Sequence, residues 1–442
     1  MPTPNRIEEA NTMVPVHLLE DVFSTGKTPE ATYTPRTGDD PDGRSYDDRL
    51  RDKARRRNGG VMLHGVSKSG KTSLVERVLP EDTACWLQGT RIETINDFWS
   101  TLAQQLNISD RYSTEISADE SRSKGLKLES GVRPVAMASV NAGNSKSRKS
   151  SNTWSFSGVP AQQVEDALSS NPIPIVVDDF HHIPTEVRTA IARAIKPLVR
   201  KTFVALIAIP SYSFDPAKAI ADIGGRITSF KLPEWSEVEL KAIAGRGFKQ
   251  LNLLDPKEEV AQRLARCSFG SPHVMQELCY ITLLSGMGIE ETVNPSREIS
   301  IPENFEIILR DAATGSEPFA FGAVLAGRNT KGEPRKPIHL KSGGNSDIYG
   351  IVMMAIRDRI PPLILNFSDI RTAVNELADE IVVKQRIVAA LSGMSAKAEK
   401  NKGETDPIFS YRDETAYLED PLFAFHLKYG DWQESKDGRN GS

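Results

Sequence analysis

Residues Gly65–Thr72 read GVSKSGKT and fit the pattern G-x-x-x-x-G-K-T of a phosphate-binding loop. A short apolar run over 61–64 precedes the loop, and a stretch with helical periodicity over 73–79 follows it. The glycines let the backbone turn so that successive N–H groups point at phosphate oxygens. The helix that follows adds its positive N-terminal end. The stretch therefore predicts a buried strand that ends in a triphosphate site.

The side chains of this loop have separate expected roles. Lys71 can reach the outer phosphates as a point charge, and the Thr72 hydroxyl can ligate Mg²⁺. The nucleotide-binding residues predicted on this basis are Gly65, Val66, Ser67, Lys68, Ser69, Gly70, Lys71, Thr72 and Ser73. A chance match on an ordinary strand–helix turn is the alternative, and the apolar runs on both sides of the loop disfavour it.

A pair of carboxylates follows a second apolar run. Residues 172–177 are almost entirely apolar and are followed by Asp178 and Asp179. A buried parallel strand would present these acids at its carboxyl end. We predict that Asp178 holds Mg²⁺ and that Asp179 is the general base that polarises the attacking water. A strand that merely ends in surface aspartates is the alternative. His181 and His182 are interpreted as packing or polar loop residues, because no further Cys/His cluster supports a zinc site.

Two further strands complete the predicted sheet. The apolar run over 202–210 is followed by Ser211, a polar residue placed to sense the γ-phosphate. Two glycines and Arg226 precede the last strand, over 227–232. Apolar strands that alternate with helices predict a three-layer α/β domain with a parallel sheet.

The composition is that of a soluble protein with more than one domain. The chain has 442 residues, of which 39% are hydrophobic and 26% are charged. Its net charge of −4 argues against a wholly basic nucleic-acid binder, although not against local patches. Three widely spaced cysteines indicate a reducing cytoplasm without a disulfide framework. No apolar run is long enough for a membrane span.

The predicted domains follow from shifts in periodicity and polarity. They are a lead-in over 1–44, an α/β core over 45–236 with a polar insertion at 111–158, a helical lid over 237–298, a winged-helix-like domain over 299–432 and a disordered tail over 433–442. The basic helix over 46–57 can either contact nucleic acid or form a solvated face. The insertion can be a flap that contacts a partner or solvated disorder. The last domain can bind DNA or relay the state of the core.

The order of these parts resembles the STAND and AAA+ branch of phosphate-loop ATPases, close to its archaeal-type and origin-recognition-like members. The resemblance spans residues 45–430, and it is carried by Gly65–Thr72, Val176–His181, Gly224–Arg226, Gly270–Pro272 and Asp420–Leu427. It implies ATP or ADP with Mg²⁺, and an ATP hydrolysis that is slow and regulatory.

The resemblance also implies roles for two single residues. Arg226 stands where the family places an arginine that reaches the nucleotide of a neighbouring subunit, with a local ion pair as the alternative. Pro272 lies in the turn that contacts the base and sugar. The arginine that AAA+ proteins carry on the next helix is missing, because that helix starts with Val274-Met275-Gln276-Glu277. A STAND-like lid is therefore favoured.

Two functions remain open at this point. The first is a nucleotide-controlled switch that assembles into homo-oligomers and controls a separate effector or regulator protein; a role in bacterial antiphage defence rests on family analogy. The second is a DNA-handling AAA+ ATPase, of the transposition-regulator or loader type, with its winged helix on DNA. A small-molecule kinase is disfavoured because no acceptor site is evident. Either function is expected in the cytoplasm and away from membranes.

Overall fold

The computed structural model describes residues 15–38, 40–108, 160–209, 218, 219, 221, 223–328, 335–403 and 406–432. The chain divides into two compact units. The first unit comprises Met1–Arg49, His64–Arg77 and Lys231–Ser442, and the second comprises Leu50–Leu63 and Val78–Phe230. The predicted insertion at 111–158, the residue Ser211 and the tail at 433–442 lie outside the described residues.

The second unit is built on a five-stranded parallel sheet. Its strands are β1 (Gly60–His64), β2 (Cys85–Gln88), β3 (Ile175–Asp178), β4 (Val204–Ala208) and β5 (Ile227–Lys231), in the order β2-β3-β4-β1-β5. Cys85 lies opposite Ile175 in the register of β2 with β3, and Ile175 lies opposite Val204 in the register of β3 with β4. The sequence predicts strands over 61–64, 83–87, 172–177, 202–210 and 227–232, and all five are present. The sheet and its loop form the α/β P-loop NTPase core that the sequence predicted.

Helices cover the sheet because both of its faces are apolar. The helices of the N-terminal half are α1 (Leu19–Val22), α2 (Tyr46–Arg55), α3 (Lys71–Val78), α4 (Ile95–Gln105), α5 (Pro160–Ser170) and α6 (Thr185–Leu198). Of these, α4, α5 and α6 pack on the sheet, whereas α1 belongs to the first unit. Phe98 of α4, Leu168 of α5 and Ile195 of α6 share one core with Met62 and Val177 of the sheet. Val61, Leu63 and Val176 alternate with those strand residues and are also buried. A sheet buried on both faces is typical of a three-layer domain.

The first unit continues with a set of short helices. They are α7 (Glu237–Gln250), α8 (Glu259–Cys267), α9 (Pro272–Ile281), α10 (Phe305–Gly315) and α11 (Phe321–Ala326). Ser236 begins α7 in a capping box with Glu239, and the Ser271 hydroxyl caps α9 by accepting from the Val274 N–H. The helices predicted for the lid are present, whereas α11 was not predicted.

Two pairs of very short strands complete this part of the chain. Strands β6 (Leu253–Leu254) and β7 (Arg297–Glu298) pair in parallel, and β8 (Ile338–His339) and β9 (Asn345–Ser346) pair antiparallel. Each is only two residues long, so these pairings pin loops and do not form a core sheet. Among the described residues, no helix is long and apolar enough to cross a membrane.

The C-terminal part of the first unit combines helices with a small antiparallel sheet. Its elements are α12 (Ile348–Arg359), β10 (Ile364–Asn366), α13 (Phe367–Leu377), α14 (Lys384–Lys400), β11 (Phe409–Arg412), β12 (Thr415–Leu418) and α15 (Pro421–Tyr429). The sheet order is β10-β12-β11. The sequence predicts helices over 347–359, 368–378 and 383–398 and a hairpin over 407–419, and these elements are present, whereas β10 was not predicted. Ile387, Leu391 and Met394 bury one side of α14 in the core of this unit.

Candidate functional site

Both glycines of the GVSKSGKT loop occupy positions that other residues fit poorly. The loop joins β1 to α3, and a Cβ on Gly65 would lie 2.3 Å from the carbonyl oxygen of Leu232. Leu232 is fixed there because its N–H donates to the His64 carbonyl at 2.8 Å. Gly70 has a φ of +83°, in the left-handed region that favours glycine. The two glycines of the motif are thus explained by backbone geometry.

The Lys71 side chain lies within its own loop. Lys71 is the first residue of α3 and is 6% exposed. Its Nζ donates to the carbonyl oxygen of Val66 at 2.7 Å and to that of Gly65 at 3.2 Å. The Ser69 hydroxyl donates to the same Val66 carbonyl at 2.9 Å. Phosphate oxygens at this loop would therefore compete with two backbone carbonyls for the Lys71 ammonium.

Three distant stretches of the first unit contact the loop. Trp235 Nε1 donates to the Ser69 carbonyl at 2.9 Å. The Ser271 hydroxyl, which also caps α9, donates to the Lys68 carbonyl at 3.5 Å, so the predicted Pro272 turn reaches the loop through its neighbour. Lys68 Nζ lies 2.6 Å from the Asp420 carboxylate, which caps α15. The loop is thus contacted by Trp235 just before α7, by the cap of α9 and by the cap of α15.

His273 lies in the electrostatic field of the Lys68–Asp420 ion pair. Burial and the positive charge of Lys68 lower the pKa of His273, and the Asp420 carboxylate opposes that shift. The imidazole is therefore held neutral at neutral pH. A neutral ring adds no positive charge beside the ion pair, so it does not compete with Lys68 for the Asp420 carboxylate.

Trp235 is oriented by a buried arginine, Arg36. Arg36 is 5% exposed, and its guanidinium lies 4.6 Å from the Trp235 ring. It donates to the Glu239 carboxylate at 2.8 Å and to the carbonyls of Pro233 and Glu234. Burial alone would raise the pKa of Glu239, but hydrogen bonds from Arg36 and Ser236 and the charge of Arg36 lower it. The result is a charged pair that fixes the chain just before α7.

The predicted acidic pair lies in the second unit. Asp178 is the last residue of β3 and is 6% exposed, and its Oδ1 accepts the Asp179 N–H at 2.8 Å. Asp179 adopts a left-handed conformation with φ 51° and ψ 38° and begins the 3-10 turn Phe180–His182. Gly89 lies against this segment, since a Cβ there would be 2.2 Å from the Asp179 carbonyl oxygen. No local pattern in the sequence marks Gly89 as a residue that shapes the acidic pair.

We expect Gly89→Ala to displace the Asp178–Asp179 backbone. The added methyl group has no room beside the Asp179 carbonyl, and overpacking of this kind costs about 1–3 kcal/mol of stability. The matched control is Gly245→Ala, where an added Cβ meets nothing within 4 Å. Thermal unfolding and ATP turnover would be measured for both variants. A Gly89→Ala protein with the unfolding temperature and turnover of the parent would contradict the expectation.

His181 and His182 lie beside Asp179. A carboxylate oxygen of Asp179 and a ring nitrogen from each histidine lie within 4.8 Å of one another. The Ile209 N–H, however, donates to His181 Nδ1 at 3.3 Å. In a neutral imidazole this leaves the proton on Nε2, so neither nitrogen offers a lone pair while that bond persists. His181 therefore fits a polar loop residue better than a metal ligand.

The other predicted site residues are Arg226, Ser211 and Thr72. Arg226 is exposed, directly before β5 and after Gly224 and Gly225, which have φ values of +80° and +72°. Its role at a neighbouring subunit stays a prediction, as does that of Ser211, which lies outside the described residues. Thr72 is exposed. Its hydroxyl and the Asp178 carboxylate are hard oxygen donors of the kind that Mg²⁺ prefers.

Comparison with solved structures finds ATPases of the types that the motifs resemble. The structure is similar to the Walker-type ATPase PABY2304 of Pyrococcus abyssi, with 12% identity, 90% of this chain and 99% of that chain covered, and a TM-score of 0.48. It is also similar to the Aeropyrum pernix ORC2 protein in ADPNP and ADP complexes, with 12% identity, 95% and 98% covered, and a TM-score of 0.43.

A third similar structure is the STAND protein PH0952 of Pyrococcus horikoshii, which carries a tetratricopeptide repeat sensor. Its identity is 15%, the match covers 88% of this chain and 43% of that chain, and the TM-score is 0.33. No protein-family model matches the chain, and no curated protein matches its sequence. At these identities and scores the likeness carries no conclusion about ligands or activity. The fold assignment rests on the sheet and the loop.

Proposed function

We propose that this chain is an ATP-binding switch in which the nucleotide at Gly65–Thr72 controls the C-terminal segment. The observation that carries the proposal is the 2.6 Å contact between Lys68 Nζ and the Asp420 carboxylate. Lys68 belongs to the loop, whereas Asp420 caps the last helix, α15. A change in the position or charge of the loop would thus act directly on the C-terminal segment.

The charges give this contact its expected direction. A triphosphate would bring several negative charges to a loop that already binds the Asp420 carboxylate. It would compete for Lys68 and repel Asp420, and both side chains are only partly exposed, at 26% and 19%, so solvent screens them incompletely. Coupling between two sites of this kind is typically about 1–3 kcal/mol. ATP and the contact with Asp420 are therefore proposed to oppose each other.

The C-terminal segment fits a relay better than a DNA reader. Its element order, α12-β10-α13-α14-β11-β12, is the order that we interpret as a winged helix. The helix that would read DNA, α14, buries Leu391, Met394 and Ala398, and its first residue, Lys384, is paired with Glu414 at 2.5 Å. Exposed acids at the hairpin turn would repel phosphates. The alternative, a DNA-handling ATPase that uses this winged helix, is therefore the weaker proposal.

Hydrolysis and assembly extend the same proposal. Lys71 would bind the outer phosphates, Asp178 would hold Mg²⁺ with the Thr72 hydroxyl as a further ligand, and Asp179 would act as the base in a slow, regulatory ATP hydrolysis. Arg226 is exposed, as an arginine that contacts a neighbouring subunit must be. We propose homo-oligomers that control a separate effector protein. The defence role is a hypothesis that rests on analogy with STAND proteins alone.

The switch predicts that Asp420→Asn tightens ATP binding by about tenfold, within the usual range of coupling. Asparagine can still accept the Leu422 N–H that Asp420 accepts at 2.8 Å, so α15 keeps its cap. The substitution removes only the charge that holds Lys68. ATP affinity would be measured by calorimetry, and hydrogen exchange of residues 421–429 would be followed with and without ATP. ATP should raise this exchange in the parent protein and change it little in the variant.

Asp413→Asn is the matched control for this experiment. It removes the same charge from the same segment, at an exposed turn position with a φ of +48° that asparagine tolerates. Its ATP affinity should equal that of the parent. Weaker ATP binding by Asp420→Asn would show that Asp420 supports the nucleotide site instead of opposing it. A parent protein that binds no ATP would refute the proposed function itself.

A further inference from the structure

Basic residues precede three neighbouring strands of the sheet. Arg200 lies before β4, Arg56 and Arg57 lie before β1, and Arg226 lies directly before β5. These positions are far apart in the chain and become neighbours only because the sheet order is β4-β1-β5 at this side. Adjacent strands are about 4.8 Å apart, so the three strand starts lie within about 10 Å. The fold therefore assembles a basic surface that the sequence does not display.

Close approaches between the loops tie this surface together. The Gly59 N–H donates to the Val199 carbonyl at 2.6 Å, and a Cβ on Gly59 would lie 3.5 Å from the Arg226 carbonyl oxygen. A Cβ on Gly224 would lie 3.7 Å from Lys196 Cε. Helix α6 adds exposed cations at a spacing that puts them on one face. We call the resulting surface the basic edge, and it consists of Arg56, Arg57, Arg193, Lys196, Arg200 and Arg226.

The cations of the basic edge have no carboxylate partner among the described residues. All six side chains are exposed, and within the described part of the chain none of them lies within salt-bridge distance of a carboxylate. Two basic neighbours differ in this respect, since Lys201 pairs with Glu165 at 3.3 Å and Arg55 with Asp52 at 3.7 Å. In a chain with a net charge of −4, six uncompensated cations on one edge are a strong local concentration of charge.

The surroundings of the basic edge favour a phosphate backbone over a protein surface. Protein interfaces usually have an apolar or aromatic core inside a polar rim. Among the described residues, however, every large hydrophobic side chain that is exposed belongs to the first unit, from Val16 to Val383. The basic edge also has no aromatic side chain on which unpaired bases could stack. Five of its six residues are arginines, whose fork-shaped guanidinium matches phosphate oxygens.

The basic edge is also separate from the nucleotide site. It lies at the amino ends of β4, β1 and β5, whereas β1 continues into the phosphate-binding loop and β3 ends in Asp178 at the carboxyl ends. Ligands of open α/β sheets bind at the carboxyl ends. The acidic residues Glu81 and Asp82 precede β2, at the far margin of the sheet. The basic edge thus lies at the amino ends of β4, β1 and β5 and does not extend to the amino end of β2.

We infer that the basic edge binds the phosphate backbone of double-stranded DNA without reading its sequence. The inference goes beyond the proposed switch, because it uses neither the nucleotide nor the C-terminal segment. Backbone contacts of this kind supply affinity that is steeply salt-dependent and nearly independent of sequence. The contact would hold the switch on a duplex through its ATPase core.

The test is the triple variant Arg56→Glu, Arg57→Glu and Arg200→Glu, which keeps Arg226 for any role at a neighbouring subunit. Binding of a mixed-sequence DNA duplex would be measured by fluorescence anisotropy across a salt series. We expect at least about a tenfold fall in affinity, and a slope of log K against log salt that is smaller by about 2.7, or about 0.9 for each phosphate that the protein no longer neutralises. Circular dichroism and thermal unfolding would report whether the variant folds. Should it fail to fold, the triple glutamine variant replaces it.

The control is Lys249→Glu, Lys336→Glu and Arg371→Glu, which changes the net charge equally at exposed cations outside the basic edge. It should bind DNA as the parent does. An equal fall in affinity for both triple variants would show a general charge effect and overturn the inference, as would unchanged binding by the basic-edge variant or a parent that does not bind DNA. Tighter binding of an RNA duplex would overturn the choice of DNA. Binding of an acidic protein in its place would overturn the choice of a phosphate backbone.

Discussion

Replacing Lys71 with alanine is expected to abolish ATP binding. The motif assigns this lysine to the outer phosphates, and charged hydrogen bonds contribute about 1.5–3 kcal/mol each. Losing two such hydrogen bonds between Lys71 and the phosphates would weaken ATP binding by more than about a hundredfold. Calorimetry with ATP and with ADP would measure the effect. The loss of affinity should be larger for ATP than for ADP, because Lys71 contacts the outer phosphates and only ATP has a γ-phosphate.

The structure adds a control that the sequence could not suggest. Lys71 Nζ donates to the carbonyls of Val66 and Gly65, so its removal also takes hydrogen bonds away from the loop. Ser69→Ala removes a comparable bond, from the Ser69 hydroxyl to the Val66 carbonyl at 2.9 Å, and keeps every charge. If Ser69→Ala impaired binding as fully as Lys71→Ala, loop disruption would explain both. If Lys71→Ala bound ATP normally, the loop would not be the nucleotide site.

Those parts of the fold that depend on local pattern could be predicted. Strands β3 and β4 are continuous apolar runs, and a buried parallel strand needs no other signal. Strand β5, which reads ITSFK and is partly exposed, has a weaker signal. The loop could be identified because its two glycines stand at fixed positions of the motif. The backbone requires glycine there, as the Leu232 carbonyl beside Gly65 shows. The caps at Ser236 and Ser271 likewise lie next to the helices that they begin. In each case the residue and its physical cause are neighbours in the chain.

The contacts that suggest function join residues that are far apart, and for that reason the sequence could not reveal them. Asp420 meets Lys68 across 352 positions. Arg36 meets Glu239 across 203 positions, and so fixes the Trp235 that binds the loop. In the sequence Gly89 looks like an ordinary loop glycine, and only the fold places it against the Asp179 carbonyl. The roles of these residues follow from groups that lie far away in the chain, so a local sequence pattern does not predict them.

Asp179→Asn is expected to spare ATP binding and to reduce hydrolysis by about a hundredfold or more, the usual contribution of a positioned general base. The amide has the size of the carboxylate but cannot accept the proton of the attacking water. Asparagine is also the right substitution for the backbone, because residue 179 has a φ of 51°. Asparagine tolerates that conformation, whereas alanine would add about 1–2 kcal/mol of strain and confuse the result. Single-turnover hydrolysis and ATP affinity would be measured together.

Asp178→Asn separates the two acids of the pair. If Asp178 holds the metal, the Asp178→Asn variant should show a weaker dependence of ATP affinity on Mg²⁺ than the parent. The Asp179→Asn variant should show the same dependence as the parent. The two residues differ in burial and conformation, since Asp178 ends the strand and is 6% exposed and Asp179 turns away in the left-handed region. Unimpaired turnover by Asp179→Asn would refute its role as the base. Because Asp178 accepts the Asp179 N–H at 2.8 Å, a defect confined to Asp178→Asn would then mean that Asp179 serves to orient the metal carboxylate.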